Sequence, residues 1–171
     1  GAKLLTVVVI CSLLATGVVV GFVRGAPELS ASLADNRVAA GEEATLAVTL
    51  TNAGELETMS TTNPELNQRV LTATGVSTQL RAGDAPLSVT TGRQSVGSIA
   101  DGGERVVPFS ISVDEDASPG SYRLPLRVAY THTSEIDEGG GFSQSRTVER
   151  TLSVTVRVVE QAQFAVIDTE A

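Results

Sequence analysis

The residues able to do chemistry are few and scattered. His132 is the only histidine and Cys11 the only cysteine among 171 residues. His132 lies in YTHT, residues 130–133, near the end of an expected strand. One imidazole, with no second histidine and no nearby thiolate, falls short of a zinc ligand set unless carboxylates complete it. It reads as an exposed or half-buried strand-end residue. Asp114, Glu115 and Asp116 precede Pro119 and Gly120. Carboxylate oxygens and turn carbonyls are the donors that calcium takes, which makes Asp114 and Asp116 the candidate metal ligands. Glu135, Asp137 and Glu138 form a second acidic cluster beside three glycines. Neither cluster has the spacing of an EF-hand loop, and a solvated acidic loop is the simpler account of both. No cofactor other than calcium is expected.

Serines and threonines are abundant, but none sits in a Gly-x-Ser-x-Gly elbow. With one histidine and no nucleophile motif, acyl transfer is not expected. A pair of carboxylates suffices for glycoside hydrolysis. However, the chain has no Trp, two Tyr and four Phe, poor material for a sugar-stacking cleft. The expectation is a protein that is not an enzyme. Asn36, Asn52, Asn63 and Asn67 all fail the Asn-x-Ser/Thr pattern, so N-glycans are not expected. The threonine-rich residues 58–62 leave room for O-linked sugars.

Charge narrows the partners. There are 20 acidic residues against 12 basic ones, for a net charge of −8. Such a chain has no basic field to attract phosphate, so nucleic acid is excluded as the main partner. Eleven of the basic residues are arginine and only Lys3 is lysine. An acidic, lysine-poor surface over a core of Ala, Val, Thr and Leu suits a protein kept soluble in concentrated salt, which screens self-repulsion. An ordinary acidic secreted protein is the plainer alternative.

The charge is also unevenly placed. Residues 4–23 carry none, and Lys3 and Arg24 bracket them. A helix of that length, at about 1.5 Å per residue, would match a bilayer core of roughly 30 Å. The run also loosely resembles a signal peptide. If it is retained, it is a membrane anchor, a pilin-like assembly helix or a strand donated to a neighbour. Ten of its twenty residues are β-branched, which favours strand in water; in lipid a lone segment spans only as helix. Gly17 and Gly21 have the spacing of a small-residue helix contact. Cys11 lacks the small preceding residue of a lipidation signal and reads as an inert buried thiol. The side chains expected to make assembly or membrane contacts are Leu4, Leu5, Val7, Val9, Ile10, Leu13, Leu14, Val18, Val20 and Phe22.

The rest of the chain positions these residues on strands. Apolar residues alternate with polar ones over residues 29–33, 44–50, 106–113, 122–128 and 151–159. This period of two is the mark of half-buried antiparallel strands. Glycines and prolines in AGE, TNAG, ADGG, ASPG and EGGG supply the turns between them. About seven strands over residues 28–160 would make a β-sandwich of immunoglobulin size. Pro125 falls inside a strand pattern and is expected at an edge or a bulge. Residues 55–68, with Asn63 before Pro64, read as a long connection. Residues 70–96 read as two or three short strands broken by Gly75, Gly83, Pro86 and Gly92. No window of this part carries a helical stripe.

Two of these stretches resemble a known family. AGEEATLAVTLTNAG, residues 40–54, has a glycine turn leading into an alternating strand that ends in Thr-Asn-x-Gly. ISVDEDASPGSYRLPLRV, residues 111–128, has an acidic loop and a Pro-Gly turn before a strand that starts with Tyr. With Asn36, Arg37 and Val38 in front, the chain over residues 27–167 resembles the surface-layer-related immunoglobulin-like repeats of archaeal, particularly haloarchaeal, cell-surface proteins. The resemblance implies an extracellular, non-catalytic module with no active site. The expected organisation is an apolar segment over residues 1–26, an all-β immunoglobulin-like antiparallel sandwich over 27–160, and a strand or tail over 161–171. The expected function is a structural cell-surface subunit, self-assembling into a filament or lattice through its apolar segment, with itself as main partner and the membrane as a second. The alternative is a membrane-tethered or secreted binding module serving a larger surface complex.

Overall fold

The computed structural model describes residues 21–161. Within them the chain forms eleven strands and one helix: β1 (Phe22–Ala26), β2 (Leu29–Leu33), β3 (Arg37–Ala39), β4 (Glu43–Asn52), β5 (Glu55–Thr58), α1 (Pro64–Leu71), β6 (Ala73–Leu80), β7 (Leu87–Val89), β8 (Gln94–Ile99), β9 (Glu104–Val113), β10 (Gly120–Asp137) and β11 (Ser143–Val159). The five alternating stretches expected as strands are β2, β4, β9 and the proximal parts of the β10–β11 hairpin.

The strands build two sheets facing one another across a common core. One is four-stranded, in the order β2-β4-β9-β7. In the other, β10 is central. It pairs with β11 over sixteen residue pairs on one flank, and with β6 and then β1 on the other. β8 extends this sheet beyond β6, β5 extends it beyond β1, and β3 joins β11 in parallel. The alternation read in the sequence has its cause here. Leu46, Val48, Leu50, Phe109 and Ile111 from one sheet meet Leu124, Leu126, Val128, Val154 and Val156 from the other, all buried. Burying each such side chain contributes about 1.5–3 kcal/mol.

Asn52 closes one end of this core. It is fully buried. Its Oδ1 accepts from the Glu28 N–H at 3.1 Å, and its Nδ2 donates to the carbonyls of Leu71 at 2.8 Å and Ile99 at 3.0 Å. One side chain thereby ties together segments from β4, α1, β8 and the entry to β2. At the opposite end, the Tyr122 hydroxyl donates to the Ser118 carbonyl at 2.7 Å, pinning the Pro-Gly turn to the first residues of β10.

Three expectations need correction. The long connection over residues 55–68 is a strand and most of a helix. α1 begins at Pro64, which sets the backbone for a first turn and lacks only an N–H that has no intrahelical partner there. Leu66, Val70 and Leu71 pack with Val23 and Ile136 into a satellite core. Asn67, also buried, exchanges two hydrogen bonds with the backbone of Ser60. Its burial on a polar residue is why the apolar stripe is too thin to read.

The sheet also begins earlier than expected. Residues 22–26, assigned to the apolar segment, form β1, which is hydrogen-bonded to β10 on one side and β5 on the other. Val23 is fully buried while Phe22, Arg24 and Ala26 face outward. A Cβ on Gly25 would lie 2.8 Å from the Glu55 carbonyl oxygen and 3.1 Å from Val70 Cγ2, so β1 fits against β5 and α1 only with glycine there.

Pro125, third, lies in the central strand rather than on an edge. Its carbonyl accepts from the Arg81 N–H at 3.0 Å. In an antiparallel ladder the nitrogen and carbonyl of one residue point the same way. The Pro125 nitrogen therefore faces Arg81, one residue past the end of β6 at Leu80, so the reciprocal bond that proline cannot donate falls at the end of that ladder rather than within it.

Candidate functional site

The β10–β11 hairpin outreaches the strands that pair β10 at its base, and a cleft opens along its distal half. β10 contributes Tyr130, His132, Ser134 and Glu135, β11 contributes Gln144, Arg146, Val148 and Arg150, and β1 with Pro27 forms the side wall carrying Arg24. The cleft has a volume of about 410 Å³ and is lined more by polar than by apolar atoms. Ser134 and Glu135 are neighbours in sequence, yet both line it. A bulge between Thr133 and Glu135 makes this geometry. It also leaves Ile136 to the satellite core with α1.

The floor is buried and the walls are charged. His132 is only 5% exposed and lies well inside β10, which corrects its reading as an exposed or half-buried strand-end residue. It stacks at a tilt on Tyr130, with ring centroids 6.3 Å apart, and its Nδ1 lies 3.2 Å from the Thr133 carbonyl oxygen. The Tyr130 hydroxyl donates to the Pro27 carbonyl at 3.2 Å. Burial holds its phenol above the ordinary tyrosine value; Arg150 pulls it down and Glu28 pushes it up by lesser amounts. On the walls, the Nε of Arg24 donates to Glu135, and Arg150 pairs with Glu28 at 2.9 Å. The Glu135 hydrogen bond and charge raise the Arg24 pKa further. Arg24 also lies over the Phe22 ring, 5.8 Å from its centroid. These are the only two ion pairs among the described residues, so Arg146 lines the cleft with no carboxylate partner.

His132 and Glu135 apart, the cleft residues are ones that sequence reasoning missed as site residues. The signal was faint: Gln144, Arg146, Val148 and Arg150 alternate on one face, but three of the four are polar.

Of the residues expected to act through the apolar run, Leu4, Leu5, Val7, Val9, Ile10, Leu13, Leu14, Val18 and Val20 lie outside the described residues, as does Cys11. Phe22 lies inside them, partly exposed on β1 and edge-on to Phe142 at 6.2 Å. No helix among the described residues is long and apolar enough to cross a membrane.

Asp114 and Asp116 sit at the pole opposite the hairpin tip, both exposed. The Asp114 carbonyl accepts from the N–H groups of Gly41 and Ala117, each at 3.1 Å, and its own N–H donates to Pro86 at 3.0 Å. Its backbone is thus the hub of three loops. Glu115, Asp116 and Glu160 share this pole. Among the described residues no three His, Cys, Asp or Glu side chains converge as a metal-binding group.

No protein-family model matches the chain, and no curated protein matches it.

Proposed function

We propose that this chain is a non-catalytic structural subunit of an archaeal cell surface, an immunoglobulin-like module that assembles into a filament or lattice through its apolar N-terminal segment. The observation that carries the reading is the junction. The last residues of the apolar run are not a tether. Phe22 and Val23 are the start of β1, a strand paired on both edges and backed by α1. The described chain that follows residues 4–20 enters the sandwich directly at β1.

The strand order supports the module type. β2-β4-β9-β7 against β3-β11-β10-β6-β8 follows the plan of immunoglobulin sandwiches, in which A, B, E and D face G, F and C. The acidic, lysine-poor composition supports a home in concentrated salt and an extracellular position. Head-to-tail contact through a segment at one end generates an open polymer when the rotation between copies does not close into a ring.

The test is sedimentation and electron microscopy of the native protein beside a variant lacking residues 1–20. The deletion must stop there, because removing β1 as well would uncover Ile136, Val70 and Leu71. The full chain is expected to pellet as fibres or sheets, and the variant to remain monomeric with an unchanged β-type circular dichroism spectrum. Assembly that survives the deletion overturns the reading. The open cleft favours a second reading, a tethered or secreted binding module, for which the full chain stays monomeric.

A further inference from the structure

The cleft along the distal hairpin has the chemistry of an anion site. Three arginines reach it, two of them already engaged by Glu135 and Glu28. Arg146 is not. It is the cross-strand partner of His132, Arg146 on β11 standing opposite His132 on β10. Side chains so paired have Cβ atoms about 4.5–5.5 Å apart on one face. His132 and Arg146 therefore leave their strands side by side, and both line the same opening.

One ring nitrogen of the histidine is open. Nδ1 is occupied by the Thr133 carbonyl, and Nε2 makes no hydrogen bond among the described residues. The one side-chain polar atom that is both sealed from solvent and unpartnered among the described residues is the Thr78 Oγ1. Nε2 is thus not sealed, and the cleft is where it opens. A residue 95% withdrawn from solvent keeps one polar atom open to a cavity lined by three arginines and two carboxylates, Glu57 and Glu135, beside an arginine with no ion pair among the described residues.

The rest of the lining narrows the ligand. Gln144 offers its side-chain amide, the Ser134 hydroxyl donates to the Gln144 carbonyl at 3.2 Å and offers its oxygen as an acceptor, and apolar lining is the lesser part. A fatty acid would leave these groups without partners at a cost that a polar ligand avoids. A planar carboxylate matches the guanidinium fork. Tyr130 is too buried to offer a stacking face. Recognition would rest on charge and hydrogen bonds alone. A cavity of about 410 Å³ is within the range of small-molecule sites.

We propose that this cleft binds a small hydroxylated carboxylate of the uronic-acid class, its carboxylate on Arg146 and an oxygen at Nε2 of His132. The proposal does not depend on the assembly reading.

Because His132 is the only histidine, its imidazole carbon-bound protons give an unambiguous NMR probe in the intact chain. Galacturonate is titrated at fixed pH and ionic strength, with galactose and sodium sulfate in parallel. The expected result is a saturable shift of the His132 signals with galacturonate and none with galactose. Arg146→Gln is expected to raise the galacturonate Kd at least tenfold. Arg127→Gln, on the outer face of the same sheet, is expected to leave it unchanged. A shift that grows linearly without saturation, or one equal in Arg146→Gln and the parent, overturns the site. Equal affinity for sulfate overturns the ligand class, because it reduces the cleft to a general oxyanion site.

Discussion

The side-chain amide of Asn52 donates to the backbone carbonyl of Leu71, at 2.8 Å, where β4 and the end of α1 meet in the closed end of the core. The same nitrogen reaches Ile99, and the amide oxygen caps Glu28. This asparagine lies in the Thr-Asn-x-Gly stretch that reads in the sequence as a turn ending a strand. Its backbone ties that stretch to the connection between β8 and β9: its N–H donates to the Gly103 carbonyl and its carbonyl accepts from the Gly102 N–H. Its side chain adds a junction between segments 19 and 47 residues away.

Asn52→Ala leaves two buried carbonyls and one buried N–H without their partner. Each such orphan costs about 1–3 kcal/mol, and part of that is recovered by local relaxation. We expect a loss of about 3 kcal/mol, read as a lower urea midpoint with an unchanged slope.

Thr78 predicts the opposite sign. It is 1% exposed, and its Oγ1 has no hydrogen-bond partner. Thr78→Val removes a desolvated hydroxyl and keeps the β-branched shape that suits β6. A gain of about 1 kcal/mol in the same urea titration is expected; a loss of that size would mean the hydroxyl is satisfied in solution.

Tyr122→Phe severs the bond to Ser118 at a partly exposed site, at a cost of about 1 kcal/mol. The loss is expected to be local. Amide exchange should quicken for residues of the Pro-Gly turn while the core amides keep their relative protection.

Tyr130 carries a pH dependence. Burial raises its folded-state pKa above the ordinary tyrosine value of about 10. The unfolded chain then gives up this proton first as pH rises. The associated stability is complete below about pH 10 and falls as pH climbs from there through the folded-state pKa. Tyr130→Phe should be less stable at pH 8 by about 1 kcal/mol, through the lost bond to Pro27. It should also show a shallower decline of Tm above pH 10 than the parent, as scanning calorimetry at both ends of that window would show.

The strands legible in the sequence were those with one dry face and one wet face. Leu46, Val48 and Leu50, or Val154, Val156 and Val158, announce themselves because every second side chain enters the same core. Legibility failed wherever burial broke that rule. β1 vanished inside a stretch apolar on both faces, and its Val23 looks no different from the valines before it. α1 buries an asparagine on its inner side, so only Leu66, Val70 and Leu71 mark it. The distal half of β11 faces a polar cleft on one side and water on the other, and Arg146 and Arg150 give no period-two contrast. The cleft itself was out of reach. Its members come from residues 24 to 150, joined only by a hairpin register and a bulge that no local pattern specifies.

The direction of β1 has a mechanical consequence. It runs antiparallel to β10 from the hairpin tip inward, while β11 leaves for the opposite pole and ends at Val159. Gly21 and Gln161 therefore depart from opposite ends of the long axis. Tension between them acts along β1, parallel to its neighbours, and loads its hydrogen bonds with β10 and β5 together in shear rather than peeling them one at a time. A module strung this way carries load at the joint where its apolar segment enters through two short ladders that must break together.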